Sequence, residues 1–254
     1  MSEQRKTPRK SVYILPNLFT TASLFSGFMG MIWAADGNFE MCAVAILFSA
    51  LMDGLDGKVA RLTNTASEFG VQYDSLADCS AFCVIPAFMM YQWQLHAFGR
   101  LGIAVAFLFA ACGALRLARF NVSTAVTPKK FFIGLPSPAG GCTLATMVFF
   151  APYLPEGFAP YFPAFALGTT FVAAFLMVSR VRYASFKEYG FLKAHPFSSM
   201  VSAILLFVLI ISEPKLLGFL VIAGYIISGP IYTFLFLSRR SSKLLGDLST
   251  GHSE

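Results

Sequence analysis

A polytopic bundle of membrane-spanning α-helices is the fold class that this sequence predicts, and three observations predict it. The chain is 56% hydrophobic and only 13% charged over 254 residues, too few charges to clothe a water-soluble globule of that size. Its apolar residues gather into runs of the length a helix needs to cross about 30 Å of hydrocarbon at roughly 1.5 Å per residue. Its basic residues fall in alternate connections between those runs, the pattern produced when cytoplasmic loops retain Lys and Arg.

Charged and Pro/Gly-rich breaks divide the chain into eight spans, at about 16–35, 40–61, 74–95, 101–120, 138–153, 160–179, 197–211 and 216–237. The fifth and seventh are short for a crossing. A basic arm, 1–14, precedes the first span with Arg5, Lys6, Arg9 and Lys10. Lys58 and Arg61 close the second span, and Arg116, Arg119, Lys129 and Lys130 follow the fourth. Arg180, Arg182, Lys187 and Lys193 follow the sixth, and Arg239, Arg240 and Lys243 stand in a polar tail, 239–254. Of the 19 Lys and Arg residues only Arg100 and Lys215 fall on the other side, beside Asp36, Glu40, Glu156 and Glu213. Residues 1–254 therefore read as a single multi-pass domain of the cell (inner) membrane with both termini cytoplasmic.

The net charge of +6 is spread over five membrane-edge segments rather than one groove, which favours anionic lipid headgroups and excludes a nucleic-acid partner. The charged, Pro-containing N-terminal decapeptide runs into a full-length span, so no cleaved signal peptide is expected. Cys42, Cys79, Cys83, Cys112 and Cys142 all sit in apolar runs without CxxC spacing, as small buried hydrophobes do. His96, His195 and His252 lie in connections or the tail and read as solvated residues.

Chemistry concentrates in residues 53–78, DGLDGKVARLTNTASEFGVQYDSLAD, where four aspartates stand at the end of the second span and the start of the third. Helical positions three and four apart share a face, so Asp53 and Asp56 point together from one helix and Asp74 and Asp78 from the next. A carboxylate at mid-depth costs about 2.5–3.5 kcal/mol on insertion scales, so four together require a compensating charge. Oxygen-only ligation without His or Cys suits one or two hard divalent ions, Mg²⁺ or Mn²⁺. Ordinary helix capping would account for Asp74, but Asp53 and Asp56 sit at a helix C-terminus, where the macrodipole disfavours anions.

Glycine in a helix costs about 1 kcal/mol relative to alanine, so Gly54, Gly57 and, further on, Gly70 predict a close approach of backbone, helix or ligand. At Gly54 plain membrane-helix packing would serve equally. Arg61, one turn after Gly57 on the same face, is placed to hold a phosphate or nucleotide carbonyl; a snorkelling cation at a helix end is the alternative.

The pattern Asp53, two residues, Asp56-Gly57, two residues, Ala60-Arg61, eight residues, Gly70, three residues, Asp74, three residues, Asp78 resembles the signature of the CDP-alcohol phosphatidyltransferase family at every fixed position. Within that family the flanking blocks resemble the membrane-bound phosphatidylserine synthases. The blocks are Leu15-Pro16-Asn17-Leu18-Phe19-Thr20, the stretch from Ala114 to Asn121, Gly134-Leu135-Pro136-Ser137-Pro138-Ala139, and the stretch from Met177 to Tyr183.

The resemblance implies metal-dependent transfer of a phosphatidyl group from CDP-diacylglycerol to L-serine, giving phosphatidylserine and CMP, by a homodimer. It implies Asp53, Asp56, Asp74 and Asp78 as metal ligands, with Asp78 also taking the proton of the acceptor hydroxyl. Carried over by position, Gly57, Ala60, Arg61 and Ser67, with Asn17 and Thr20 from the first helix, contact the nucleotide and its phosphates. For Thr20, N-capping of the first span is the alternative. Arg116, Arg119, Lys130, Arg180 and Arg182 lie on the side of the motif and, with Ser137, are candidates for an acceptor carboxylate or phosphate, although each cation also fits a positive-inside anchor. Pro136 and Pro138 around Ser137 fit either an unwound helix start lining a polar cavity or a loop. Two rival readings are a sister enzyme acting on glycerol 3-phosphate, inositol phosphate or choline, and a divalent-cation transporter.

Overall fold

The computed structural model describes residues 14–63, 67–124, 132–183 and 213–250. The fold is all-α in its working parts. Helices α1 (Ile14–Ala35) and α2 (Phe39–Leu62) form an antiparallel hairpin, followed by α3 (Glu68–Cys79), a π-helical turn (Ser80–Val84) and α4 (Ile85–Trp93). Then come α5 (Arg100–Thr124), α6 (Ser137–Phe150), α7 (Phe162–Val178) and α8 (Pro214–Thr250). Two short strands, β1 (Phe132–Ile133) and β2 (Arg182–Tyr183), pair antiparallel with Phe132 opposite Tyr183, a ribbon that hydropathy gives no sign of.

Among the described residues four stretches are long and apolar enough to cross a membrane: Pro16–Ala35, Arg100–Val122, Glu156–Val178 and Lys215–Phe234. The expected count of eight differs from this for local reasons. The second expected span is one helix, but Glu40, Asp53, Asp56, Lys58 and Arg61 burden it with charge. The third begins earlier, at Glu68, and is interrupted by the π turn. The fifth ends after 14 helical residues in a 3₁₀ turn. The seventh, 197–211, lies outside the described residues. Helix α8 continues through the expected polar tail as far as Thr250.

The outward faces carry apolar side chains, with Phe107 71% and Phe234 75% exposed. Water would penalise such a surface, and a bilayer would not. The interior, by contrast, relies on small residues. Gly30 packs on Cys42 and Ala45, while the Ser26 hydroxyl donates to the Ala45 carbonyl at 3.0 Å and Ser49 Oγ to the Ser23 carbonyl at 2.9 Å. These contacts zip α1 to α2 at close range, as small and hydroxylated residues do where lipid provides no hydrophobic drive.

The π turn has an identifiable cause. Pro86 has no N–H to give the Phe82 carbonyl one turn back, and its ring would crowd that carbonyl in a regular helix. The chain relieves the conflict by a wider turn, in which the Ile85 N–H reaches the Ser80 carbonyl. Two glycines seat this bulge. A Cβ on Gly113 of α5 would overlap Cys83 Sγ, and one on Gly141 of α6 would lie 2.9 Å from the Phe82 carbonyl oxygen.

The β ribbon fixes the start of α6. Gly134, at φ 81°, directs its N–H to the Val181 carbonyl at 2.8 Å, and a Cβ there would strike the Met177 carbonyl oxygen. Pro136 is then the cap and Ser137 and Pro138 the first residues of α6, so this segment is a helix start, with Ser137 fully buried. All five cysteines are free thiols, four of them buried.

Substitution Gly141→Ala is expected to destabilise the fold by about 1–3 kcal/mol through overpacking against backbone. Gly54→Ala, where a Cβ would meet nothing within 4 Å, is expected to be neutral or stabilising by up to about 1 kcal/mol. Thermal unfolding of the two variants in detergent checks the contrast.

Candidate active site

Asp53 and Asp56 project from the C-terminal half of α2, and Asp74 projects toward them from α3. Carboxylate oxygens of the three lie within 4.8 Å of one another, and Asp56 is only 5% exposed. Asp78, one turn further along α3, interacts electrostatically with all three and, with opposite sign, with Arg116 of α5. The four acids thus divide into a compact trio and a fourth, one turn further along α3, that feels both the trio and Arg116.

Each acid is held by its neighbours. Thr20 Oγ1 donates to Asp56 Oδ2 at 2.9 Å from the second turn of α1, so Thr20 is a buried partner of the cluster and not a helix cap. Helix α3 is clamped from two sides. Thr21 Oγ1 and the Tyr73 hydroxyl lie 3.0 Å apart on the α1 side, and Asn121 Nδ2 donates to Ser75 Oγ at 2.9 Å and to Gln72 Oε1 at 3.4 Å on the α5 side. Ser67, in extended conformation, caps α3 by accepting the Gly70 N–H at 3.0 Å.

Above the trio opens a cavity of about 150 Å³. Asp56 and Asp74 form its acidic wall, and Asn17, Thr20, Gly57, Ala60 and Ser67 line the rest together with Gly70. A Cβ on Gly70 would lie 3.1 Å from Ser67 Oγ and 3.5 Å from Asn17 Oδ1, so the small residue keeps that corner open. Gly54 faces open space, and the close approach expected there is not found. The side chain of Arg61 lies outside the described residues, although its backbone belongs to α2.

The acceptor candidates separate in the same way. Arg116 and Ser137 are both buried and joined, Arg116 Nη1 donating to Ser137 Oγ at 2.7 Å. Arg119 is exposed and gives a 3.4 Å contact to the Val178 carbonyl, compensating the C-terminus of α7. Arg180 is exposed just beyond that helix. Lys130 and the side chain of Arg182 lie outside the described residues. The clamps Tyr73 and Asn121 escape a reading centred on acids and cations; polar side chains within apolar helices are the signal that could have found them.

The donor set fits a divalent cation. Three carboxylate oxygens from two helices lie within 4.8 Å of one another, an oxygen-only donor set of the kind a hard divalent cation takes. Fold and site together define a helical membrane protein with a carboxylate-walled cavity. Residues 13–179 match the model of the CDP-alcohol phosphatidyltransferase family, and the chain belongs to that family of enzymes. The divalent-cation transporter reading falls with that finding.

Among its relatives is a CDP-diacylglycerol–serine O-phosphatidyltransferase of Helicobacter pylori, 42% identical over 71% of this chain and 76% of the relative. An archaetidylserine synthase of Methanothermobacter thermautotrophicus is 33% identical over 68% of this chain and 70% of its own length. A CDP-diacylglycerol–serine O-phosphatidyltransferase of Bacillus subtilis is 30% identical over 69% of this chain and 93% of its own.

Removing the Asn121 clamp by Asn121→Ala is expected to raise amide exchange along Glu68–Cys79 by about 10-fold, the loss of one or two modest hydrogen bonds, and to leave α1 unchanged. Hydrogen-exchange mass spectrometry in detergent checks this.

Proposed function

We propose that the protein transfers the phosphatidyl group of CDP-diacylglycerol to the hydroxyl of L-serine, forming phosphatidylserine and releasing CMP. The observation that carries this reading is the coincidence of Asp56 and Asp74, two of the three clustered carboxylates, with Asn17, Thr20, Gly57, Ala60 and Ser67 on one small cavity. The names of the relatives supply the choice of serine.

Asp53, Asp56 and Asp74, with Asp78 beside them, would hold one or two Mg²⁺ or Mn²⁺ ions. A bound divalent ion supplies Lewis-acid polarisation of the diphosphate and charge compensation for the departing CMP. Thr20 fixes the orientation of Asp56, and Gly57, Ala60, Ser67 and Asn17, together with Arg61, receive the cytidine diphosphate. The buried Arg116–Ser137 pair takes the serine carboxylate, which brings the serine hydroxyl to Asp78. Asp78 accepts the hydroxyl proton as the oxygen bonds to the lipid-side phosphorus, and the bond from that phosphorus to the CMP oxygen breaks. Arg119, Lys130, Arg180 and Arg182 serve anionic headgroups at the same membrane edge.

The distribution of Lys and Arg supports a cytoplasmic position for both termini and the cavity, in the cell membrane. We further propose that residues 1–254 act as one domain and that two copies form a homodimer, as the family resemblance implies.

The test is CMP release from CDP-diacylglycerol by purified protein in detergent with Mn²⁺ or Mg²⁺, comparing L-serine, glycerol 3-phosphate, inositol phosphate and choline. Release is expected with serine alone, and Asp78→Asn is expected to lower it by about 10²–10⁴-fold. Release with another acceptor would reassign the product, and release unaffected by Asp78→Asn would remove the proton-accepting role. Thr20→Val, which keeps the shape and removes the hydroxyl, is expected to raise the Mn²⁺ needed for half-maximal rate by about 10-fold, measured by metal titration.

A further inference from the structure

Arg116 of α5 is 9% exposed, and its Nη1 donates at 2.7 Å to Oγ of Ser137, the fully buried first residue of α6. Among the described residues Nε of Arg116 is buried with no hydrogen-bond partner. Nη1 lies on the opposite side of the guanidinium from the Nε–H, so the bond to Ser137 occupies one side of the fork and leaves the Nε side whole. That side is one that a planar carboxylate meets with two parallel bonds, and a buried cationic N–H without a partner is matched by such an anion.

Both partners are set against the C-terminal end of α7. On the α6 side the Gly134 N–H goes to the Val181 carbonyl at 2.8 Å and the Leu135 N–H to the Leu176 carbonyl at 2.9 Å, immediately before Pro136 caps the helix. On the α5 side Arg119, one turn past Arg116, reaches the Val178 carbonyl at 3.4 Å. The freedom that remains is rotation within the long Arg116 side chain, and the bond to a hydroxyl seated in the first turn of α6 restricts it. We propose that Ser137 is a positioning residue: it holds Nη1 so that the Nε edge of Arg116 reads the acceptor's carboxylate, and the site takes hydroxyl acceptors that carry a carboxylate and rejects those that carry only an amine. This rests on the assignment of Arg116 to the acceptor.

The test is steady-state kinetics of the purified full chain with CDP-diacylglycerol, using L-serine as acceptor, L-alanine as a carboxylate without the hydroxyl, and ethanolamine as a hydroxyl without the carboxylate. L-Alanine is expected to compete with serine, and ethanolamine neither to release CMP nor to inhibit. Ser137→Ala is expected to raise KM for serine and the inhibition constant of L-alanine together, by about 10-fold, while kcat and KM for the lipid stay within about twofold. An unchanged KM for serine, a rise in it without a rise in the L-alanine constant, or both KM values rising together with a lowered melting temperature would overturn the proposal. Turnover of ethanolamine on a par with serine, or no inhibition by L-alanine, would overturn it as well. Adding Ser137→Ala to Arg116→Lys is expected to raise KM for serine no further than Arg116→Lys alone, and additive effects would count against action through Arg116. Arg116→Lys also separates the two levels. If it leaves KM for serine unmoved, the acceptor assignment itself fails; if it raises KM for serine while Ser137→Ala is silent, only the role of Ser137 fails.

Discussion

Carboxylates gathered at a membrane edge repel one another and lose hydration, and the structure around Asp53, Asp56 and Asp74 is organised by that cost. With oxygens within 4.8 Å, the trio calls for helices α1, α2 and α3 to be locked together and for its charge to be compensated. The α1–α2 zipper of Gly30, Ser26, Ser23 and Ser49 runs directly up to Thr20 and its bond to Asp56. Tyr73 on one side and Ser75 with Gln72 on the other tie α3 to α1 and α5, which sets where Asp74 stands.

The π turn belongs to the same scheme. By placing a wide turn immediately after α3, the chain lets Asp74 and Asp78 face the cluster while α4 follows its own packing register. Gly113 and Gly141 make room for the bulge, and each of their helices also brings a residue of the buried pair: Arg116 lies one turn beyond Gly113, and Ser137 one turn before Gly141. A single packing solution therefore serves the acid cluster and the buried Arg116–Ser137 pair.

Much of this was legible in the sequence because spacing survives without three-dimensional information. Intervals of three and four residues put Asp53 with Asp56 and Asp74 near Asp78, and the motif carried Gly57, Ala60 and Ser67 to the cavity they line. Hydropathy found the helices but not their interruptions, since it counts apolar side chains and is blind to backbone hydrogen-bond register. Pro86 held the information about the broken third span, and charge within α2 explains why that helix is not among the four apolar stretches of the described residues. Arg116 and Arg119 are three residues apart and equally basic; only the neighbouring helices decide that one is buried on Ser137 and the other caps α7.

The central claim is that the acids of α2 and α3 bind a divalent cation together with the diphosphate of a CDP-linked lipid. Electron paramagnetic resonance of Mn²⁺ added to the purified protein with CDP-diacylglycerol tests it most directly. The account predicts a bound Mn²⁺ signal with ³¹P coupling that disappears in Asp56→Asn. A bound signal without phosphorus coupling, or one that survives Asp56→Asn unchanged, would contradict it.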